Sequence, residues 1–138
     1  MKGKKLAKTV IAAFASIFVM ELLIHQVWLG PFYRAHAQWW RPQAEMESLM
    51  PLMSVAQFVL ALLLTLIYAK GYEKGKGTAE QGARFGLLIG ALLMVPTSLM
   101  NYVIYPYPSS LILSWLVAGI LEVTVAGAVI GAVYKPGK

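Results

Sequence analysis

Cysteine is absent from the 138 residues, and only six side chains are acidic and two are histidine. Without thiols there is no disulfide, no thiolate nucleophile and no Cys-ligated zinc or iron–sulfur site. Charged residues make up only 13% of the chain, too few to solvate an ordinary globular surface, whereas hydrophobic residues make up 59%. Mean hydropathy is +0.65, a balance that excludes a soluble domain of usual composition. A Gly-rich phosphate loop after a strand, an HExxH pair and a serine beside a general base are also missing. The chain therefore reads as a non-enzyme.

What is present is apolar sequence in four long runs, at about 9–29, 51–69, 85–105 and 110–133. Each is long enough to cross a hydrocarbon core about 30 Å thick. Together they leave no room for a separate soluble unit. The expectation is all-α: a single membrane domain over 1–138, a polytopic bundle of four transmembrane helices. An outer loop at 30–50 and a cytoplasmic loop at 70–84 connect them.

Charge orients the bundle. Lys2, Lys4, Lys5 and Lys8 precede the first run. Lys70, Lys74, Lys76 and Arg84 lie between the second and third, and Lys135 and Lys138 follow the fourth. Only Arg34 and Arg41 fall on the other side. The positive-inside rule then places both termini in the cytoplasm. The net charge of +6 accordingly reads as a topology signal facing anionic headgroups, with the lipid bilayer as partner and no nucleic acid. The lysine-rich start and Ala35-His36-Ala37 resemble a secretory signal and its cleavage site. An apolar run of this length interrupted by Glu21 is instead expected to be a retained helix.

Polar residues inside the runs fall at matching depths. Thirteen residues separate Lys8 from Glu21, Gln57 from Lys70, Arg84 from Thr97 and Glu122 from Lys135. At a helical rise of ~1.5 Å per residue that is roughly 20 Å, near the middle of the hydrocarbon. His25 and Asn101, seventeen residues from Lys8 and Arg84, form a second level further out. Glu21 and His25 are one helical turn apart, with Trp28 a further turn along. Ionisable groups at such depth mark either a proton or ion site or a hydrogen-bonded layer that sets helix register. A shift of 65 to 76 positions superposes Glu21 on Thr97, His25 on Asn101 and Gln57 on Glu122. That is a faint parallel repeat of two hairpins.

Small residues supply the expected packing surfaces. Gly82, Gly86 and Gly90 recur every four residues, Gly127 and Gly131 form a second pair, and Ala118 and Ala126 flank Glu122. Such ridges let backbones approach closely, within one chain or between copies. Pro96 is expected to kink the third helix by freeing the Leu92 carbonyl, with Thr97 and Ser98 beside it to satisfy freed groups. The stripe Gly86, Gly90, Met94, Thr97 and Asn101 then lines a cavity or forms a packing face. In the outer loop, Pro42 opens a short helix ending near Met50, with Pro51 interrupting it. Ser109 or Ser110 is placed to cap the last helix.

Cofactors are not expected. Bis-histidine haem needs two histidines at suitable depth, and His36 lies in the outer loop. Met46, Met50, Met53 and His36 come nearest to a metal set, since thioethers suit Cu(I), but methionine is also an ordinary apolar residue.

Trp40-Arg41-Pro42 with Glu45-Met46, Ile67-Tyr68-Ala69-Lys70-Gly71, Arg84-Phe85-Gly86-Leu87-Leu88-Ile89-Gly90 and Gly131-Ala132-Val133-Tyr134-Lys135-Pro136 resemble segments of a family. It is a group of small, uncharacterised bacterial membrane proteins with four predicted helices and no assigned activity. The resemblance implies a multi-pass protein of the bacterial cytoplasmic membrane and carries no site residues. The leading expectation is an accessory or assembly subunit, in a homo-oligomer or larger membrane complex, whose Glu21, His25, Gln57, Thr97, Asn101 and Glu122 fix helix packing. The alternative is an oligomeric small-solute or proton-coupled transporter using Glu21, His25 and Glu122.

Overall fold

The computed structural model describes residues 2–73, 75 and 77–135. It contains α1 (Lys2–Glu21), which continues into a π-helical turn at Leu22–Trp28, α2 (Gly30–Ala35), and a short 3₁₀ turn at Ala37–Trp39. Then follow α3 (Gln43–Lys70), α4 (Ala79–Ile104) and α5 (Ser109–Val133). There is no strand among the described residues. Four helices are long and apolar enough to cross a membrane.

These helices outrun the apolar runs because hydropathy marks where lipid is tolerated, not where backbone hydrogen bonding stops. α4 begins at Ala79 rather than at 85. Thr78 Oγ1 accepts the Gln81 N–H at 3.2 Å, and Glu80 and Arg84 pair one turn apart at 2.6 Å. Cap and acidic first turn both suit a helix N-terminus. α3 begins at Gln43 rather than at 51, with Pro42 as its cap position and the Arg41–Glu45 ion pair bridging its start. Much of the segment expected as outer loop is therefore helix. Pro51 lies inside α3 and does not interrupt it. The carbonyl it deprives of a donor, that of Glu47, sits on an exposed turn where solvent replaces the missing bond. At α5 neither serine caps: Pro108 holds the cap position, and no side chain bonds there.

α5 is the central helix, packed along α4 on one side and against α1 on another, while α3 leans on α1. The main core joins Val10, Ala13 and Ile17 of α1, Ala61 and Leu64 of α3, and Val123, Ala126 and Ile130 of α5. It occupies the half of the bundle that carries the termini. A smaller cluster of Ile24, Leu29 and Ala118, with Tyr33 and Trp115 against it, occupies the far half. Ring clusters close both ends: Tyr68, Tyr72, Phe85 and Tyr134 near the termini, and Tyr33, Trp39, Trp40, Tyr107 and Trp115 at the far end. Two aromatic levels bracketing an apolar band are the pattern of a membrane-embedded protein. The lateral surface is apolar as well, with Leu88 71%, Leu92 66% and Val103 84% exposed, an arrangement that lipid rather than water satisfies.

The glycine ridges mate within the chain. A methyl group built on Gly127 would overlap the Gly82 carbonyl and lie 2.8 Å from the Gly86 Cα. One on Gly86 would overlap the Val123 carbonyl and lie 2.8 Å from the Thr124 Cα. α4 and α5 thus touch backbone to backbone. At Gly90 the nearest atom, the Ile120 Cα, is already at 3.1 Å, and at Gly119 the Met94 side chain is interposed. The hairpin is closed near the termini and splays toward its far end.

Replacing Gly86 or Gly127 by alanine is expected to overpack this contact, costing about 1–3 kcal/mol. It should lower the thermal unfolding midpoint in detergent. Gly3→Ala, where nothing lies within 4 Å, is expected to leave it unchanged.

Candidate functional site

The splay of α4 from α5 leaves a cavity of about 260 Å³ among α1, α4 and α5. Its polar lining is Glu21 and His25 from α1 and its π turn, Thr97, Ser98 and Asn101 from α4, and Glu122 from α5. Five of the six polar residues placed at matching depths therefore share one space. Gln57 does not: it lies on α3, which contributes nothing to the lining, and its Oε1 is buried without a hydrogen-bond partner.

The face expected from Gly86 through Asn101 divides in two. Gly86 and Gly90 are buried against α5, while Met94, Thr97 and Asn101 line the cavity. Close packing in one half is what opens the other. Pro96 lies within α4, which continues through it. The Thr97 hydroxyl donates to the Leu93 carbonyl at 2.6 Å, not to that of Leu92.

The irregular turn is in the first helix instead. Buried positions on it run Val10, Ala13, Ile17, Ile24 and then Leu29. The last step of five residues is the π turn, in which the Leu29 N–H donates to the Ile24 carbonyl at 2.8 Å. That wider turn carries one extra residue and rotates the chain beyond it. Trp28, expected on the face of Glu21 and His25, consequently points outward and is 51% exposed, and Leu29 takes the inward position.

The same turn delivers Tyr33 back over the site. Its hydroxyl lies 2.8 Å from His25 Nδ1 and accepts the Trp115 indole N–H at 2.8 Å. The His25 and Tyr33 rings stack, 5.8 Å apart and 13° from parallel. Trp40 Nε1 donates to the Tyr33 carbonyl at 3.1 Å, pinning the segment from above. Trp115 can only donate. If the phenol then donates its own proton to Nδ1, neutral His25 carries its hydrogen on Nε2. Nε2 then turns its hydrogen toward Glu21 Oε2, 3.5 Å away.

Glu122 is 7% exposed, and its carboxyl comes within hydrogen-bonding reach of that of Glu21 across the α1–α5 interface. Two ionised carboxylates have acceptors only. As bare anions they would repel, and Glu122 Oε1 has no hydrogen-bond partner among the described residues. One shared proton turns the contact into a hydrogen bond, so the pair is suited to hold a proton and give it up. Continuing outward, the arrangement runs Glu122, Glu21, His25 and Tyr33, with Trp115 closing it. On the side of the termini, Ile17, Ala13, Val123 and Ala126, each no more than 4% exposed, seal it with apolar packing.

The sequence does not single out Tyr33 or Trp115. Trp115 had a usable signal: with Ala118 and Glu122 it follows the three- and four-residue spacing of one helix face. Tyr33 had none, because eight residues from His25 on a regular helix would not return its hydroxyl to the ring.

The metal candidates do not assemble. His36 stacks between Phe32 and Trp39 and its Nδ1 bonds the Phe32 carbonyl, while Met50 and Met53 face outward, 46% and 47% exposed. No group of three histidine or acidic side chains suited to a metal occurs among the described residues. Compared with family models, curated proteins and solved structures, the chain matches none. Its class rests on its own architecture: an all-helical protein with four helices able to cross a membrane and a carboxyl-bearing cavity between three of them.

Burial pushes the Tyr33 phenol above its usual 10.0; the Trp115 N–H opposes the shift, and the Glu21 charge adds to it. The folded state then holds this proton more tightly than the unfolded chain. Its contribution to stability is present below the ordinary phenol range and lost as pH rises through the folded value. Thermal midpoints in detergent are expected to fall across that alkaline window, and to fall less for Tyr33→Phe.

Proposed function

We propose a small multi-pass protein of the bacterial cytoplasmic membrane that binds a small solute at the Glu21–Glu122 pair in exchange for a proton. Both termini and the connection at 71–78 lie in the cytoplasm, and the segment at 29–42 lies outside. The observation that carries the functional reading is Glu122, an acid nearly out of reach of solvent, on the wall of a cavity with an oxygen that no group among the described residues satisfies. An unsatisfied buried polar atom costs about 1–3 kcal/mol. A group used only to fasten helices would be expected to have its partners in full. The apolar seal toward the termini means that a single chain encloses a pocket rather than a continuous path. The reading therefore carries with it a homo-oligomer or a rocking of α1 against the α4–α5 hairpin.

An assembly subunit is the second reading, favoured by a different observation. Glu21 with Glu122, and His25 with Tyr33 and Trp115, also fasten α1, α2 and α5 to one another. Such bonds contribute ~0.6 kcal/mol each on average within membranes.

Glu122→Gln separates the two. For a proton-linked site, pH-dependent solute flux into proteoliposomes is lost while the thermal midpoint moves by no more than about 1 kcal/mol equivalent. For an assembly role, the midpoint or the oligomer changes and there is no flux to lose. Orientation is tested separately, since the cysteine-free chain accepts single reporters. Gly75→Cys is expected to react with an impermeant maleimide only after cells are opened, and Gln38→Cys in intact spheroplasts.

A further inference from the structure

We propose that the ligand of this cavity is a small organic ammonium ion, taken up in place of the proton shared by Glu21 and Glu122. The inference rests on the solute-binding reading above and assigns its ligand class.

Three features of the lining point to a cation with an apolar body. The first is charge. Glu21, His25 and Glu122 are the ionisable groups of the lining, and α4 adds only the neutral Thr97, Ser98 and Asn101. Tyr33, above the site, is committed to His25 and Trp115. Arg34, on the same covering segment, is exposed and lies against Gly30. A pair with one shared proton leaves a single negative charge, and the lining holds no lysine or arginine to meet it. The second is the buried Glu122 Oε1, which has no partner among the described residues. An ammonium N–H or the positive face of a quaternary head supplies what it lacks.

The third is the rest of the wall. Trp115 lines the cavity, but its only donor is turned away to Tyr33. It therefore offers π surface, which attracts cations. Met94 adds a polarizable thioether and Ile24 and Ile112 add hydrocarbon. No group of three histidine or acidic side chains suited to a metal ion occurs among the described residues, and an anion would meet carboxyls. At about 260 Å³ the space falls just under the ~300–1,000 Å³ of drug-sized pockets, so the ion is small.

The exchange balances. One monovalent cation enters, one carboxyl O–H is broken, and its proton leaves to water. The net charge of the site is the same with either occupant, so the exchange adds no charge to the bilayer.

Benzyltrimethylammonium is a suitable probe, because it has no proton of its own to release. Calorimetry on the purified full chain in detergent is expected to show saturable binding with release of about one proton. Its affinity should weaken about tenfold for each pH unit lowered while the pair holds its proton. Neopentylbenzene, its uncharged isostere, is expected not to bind, and Glu122→Gln to lose both binding and proton release. Should that variant fail to fold, the wild-type pH series decides, together with Ser98→Leu, which fills the cavity from α4 without altering either carboxyl and is expected to block the probe. Binding without proton release, or equal binding of the neutral isostere, overturns the proposal. Proton-linked binding of sodium or benzoate instead overturns the ligand class and leaves the proton-linked site standing. If nothing binds in a pH-linked way, both are overturned.

Discussion

The backbone contact between α4 and α5 is the constraint from which the rest of the architecture follows. Lipid offers no hydrophobic drive for helices to associate, so close approach of backbones has to supply much of it through dispersion and weak Cα–H···O contacts. Gly82, Gly86, Gly127 and Gly131 make that approach possible where any side chain would collide with a carbonyl. Because the small residues stop at Gly90 and Met94 is wedged over Gly119, the same contact acts as a fulcrum. Tightness at one end produces separation at the other, and the cavity is the space that results.

Into that space α1 inserts its two ionisable groups. The irregular turn at 22–28 matters because it changes the phase of the helix beyond His25. A regular helix would have sent Trp28 inward and carried the following segment away. With the extra residue, Leu29 turns in, α2 starts at once, and Tyr33 arrives over the histidine. The far-end aromatic cluster then serves two purposes with one set of rings. Its rings are of the kind found stable at a membrane interface, and it covers a site whose polar groups would otherwise be open at that end. α3 stays outside this arrangement, with none of its residues between 43 and 60 buried.

Chemically, the site pairs acids in surroundings that penalise charge, next to a histidine whose Nδ1 meets the Tyr33 hydroxyl. A carboxyl pair can trade a proton for another cation without altering its total charge, and this is the cheapest traffic a low-dielectric site can carry. The two proposed roles, helix fastening and ligand exchange, would draw on the same groups, so they are distinguished by what happens when charge is removed and shape is kept.

Much of this was readable in the residues. Periodic polar positions thirteen residues from a basic end assign Glu21, Gln57, Thr97 and Glu122 to one depth, and depth is a one-dimensional property that a helix with a known rise preserves. Four apolar helices follow from the same arithmetic, though their ends do not: Thr78, Pro42 and the Arg41–Glu45 pair extend helices past the apolar runs through hydrogen bonds that hydropathy does not register. What only the tertiary structure decided is rotation and lateral neighbour. That α4 mates with α5 in the same chain, that Gln57 is left out, and that a π turn brings Tyr33 to His25 depend on angles about helix axes. Linear spacing leaves those angles open, since a single added residue in one turn re-aims every side chain after it.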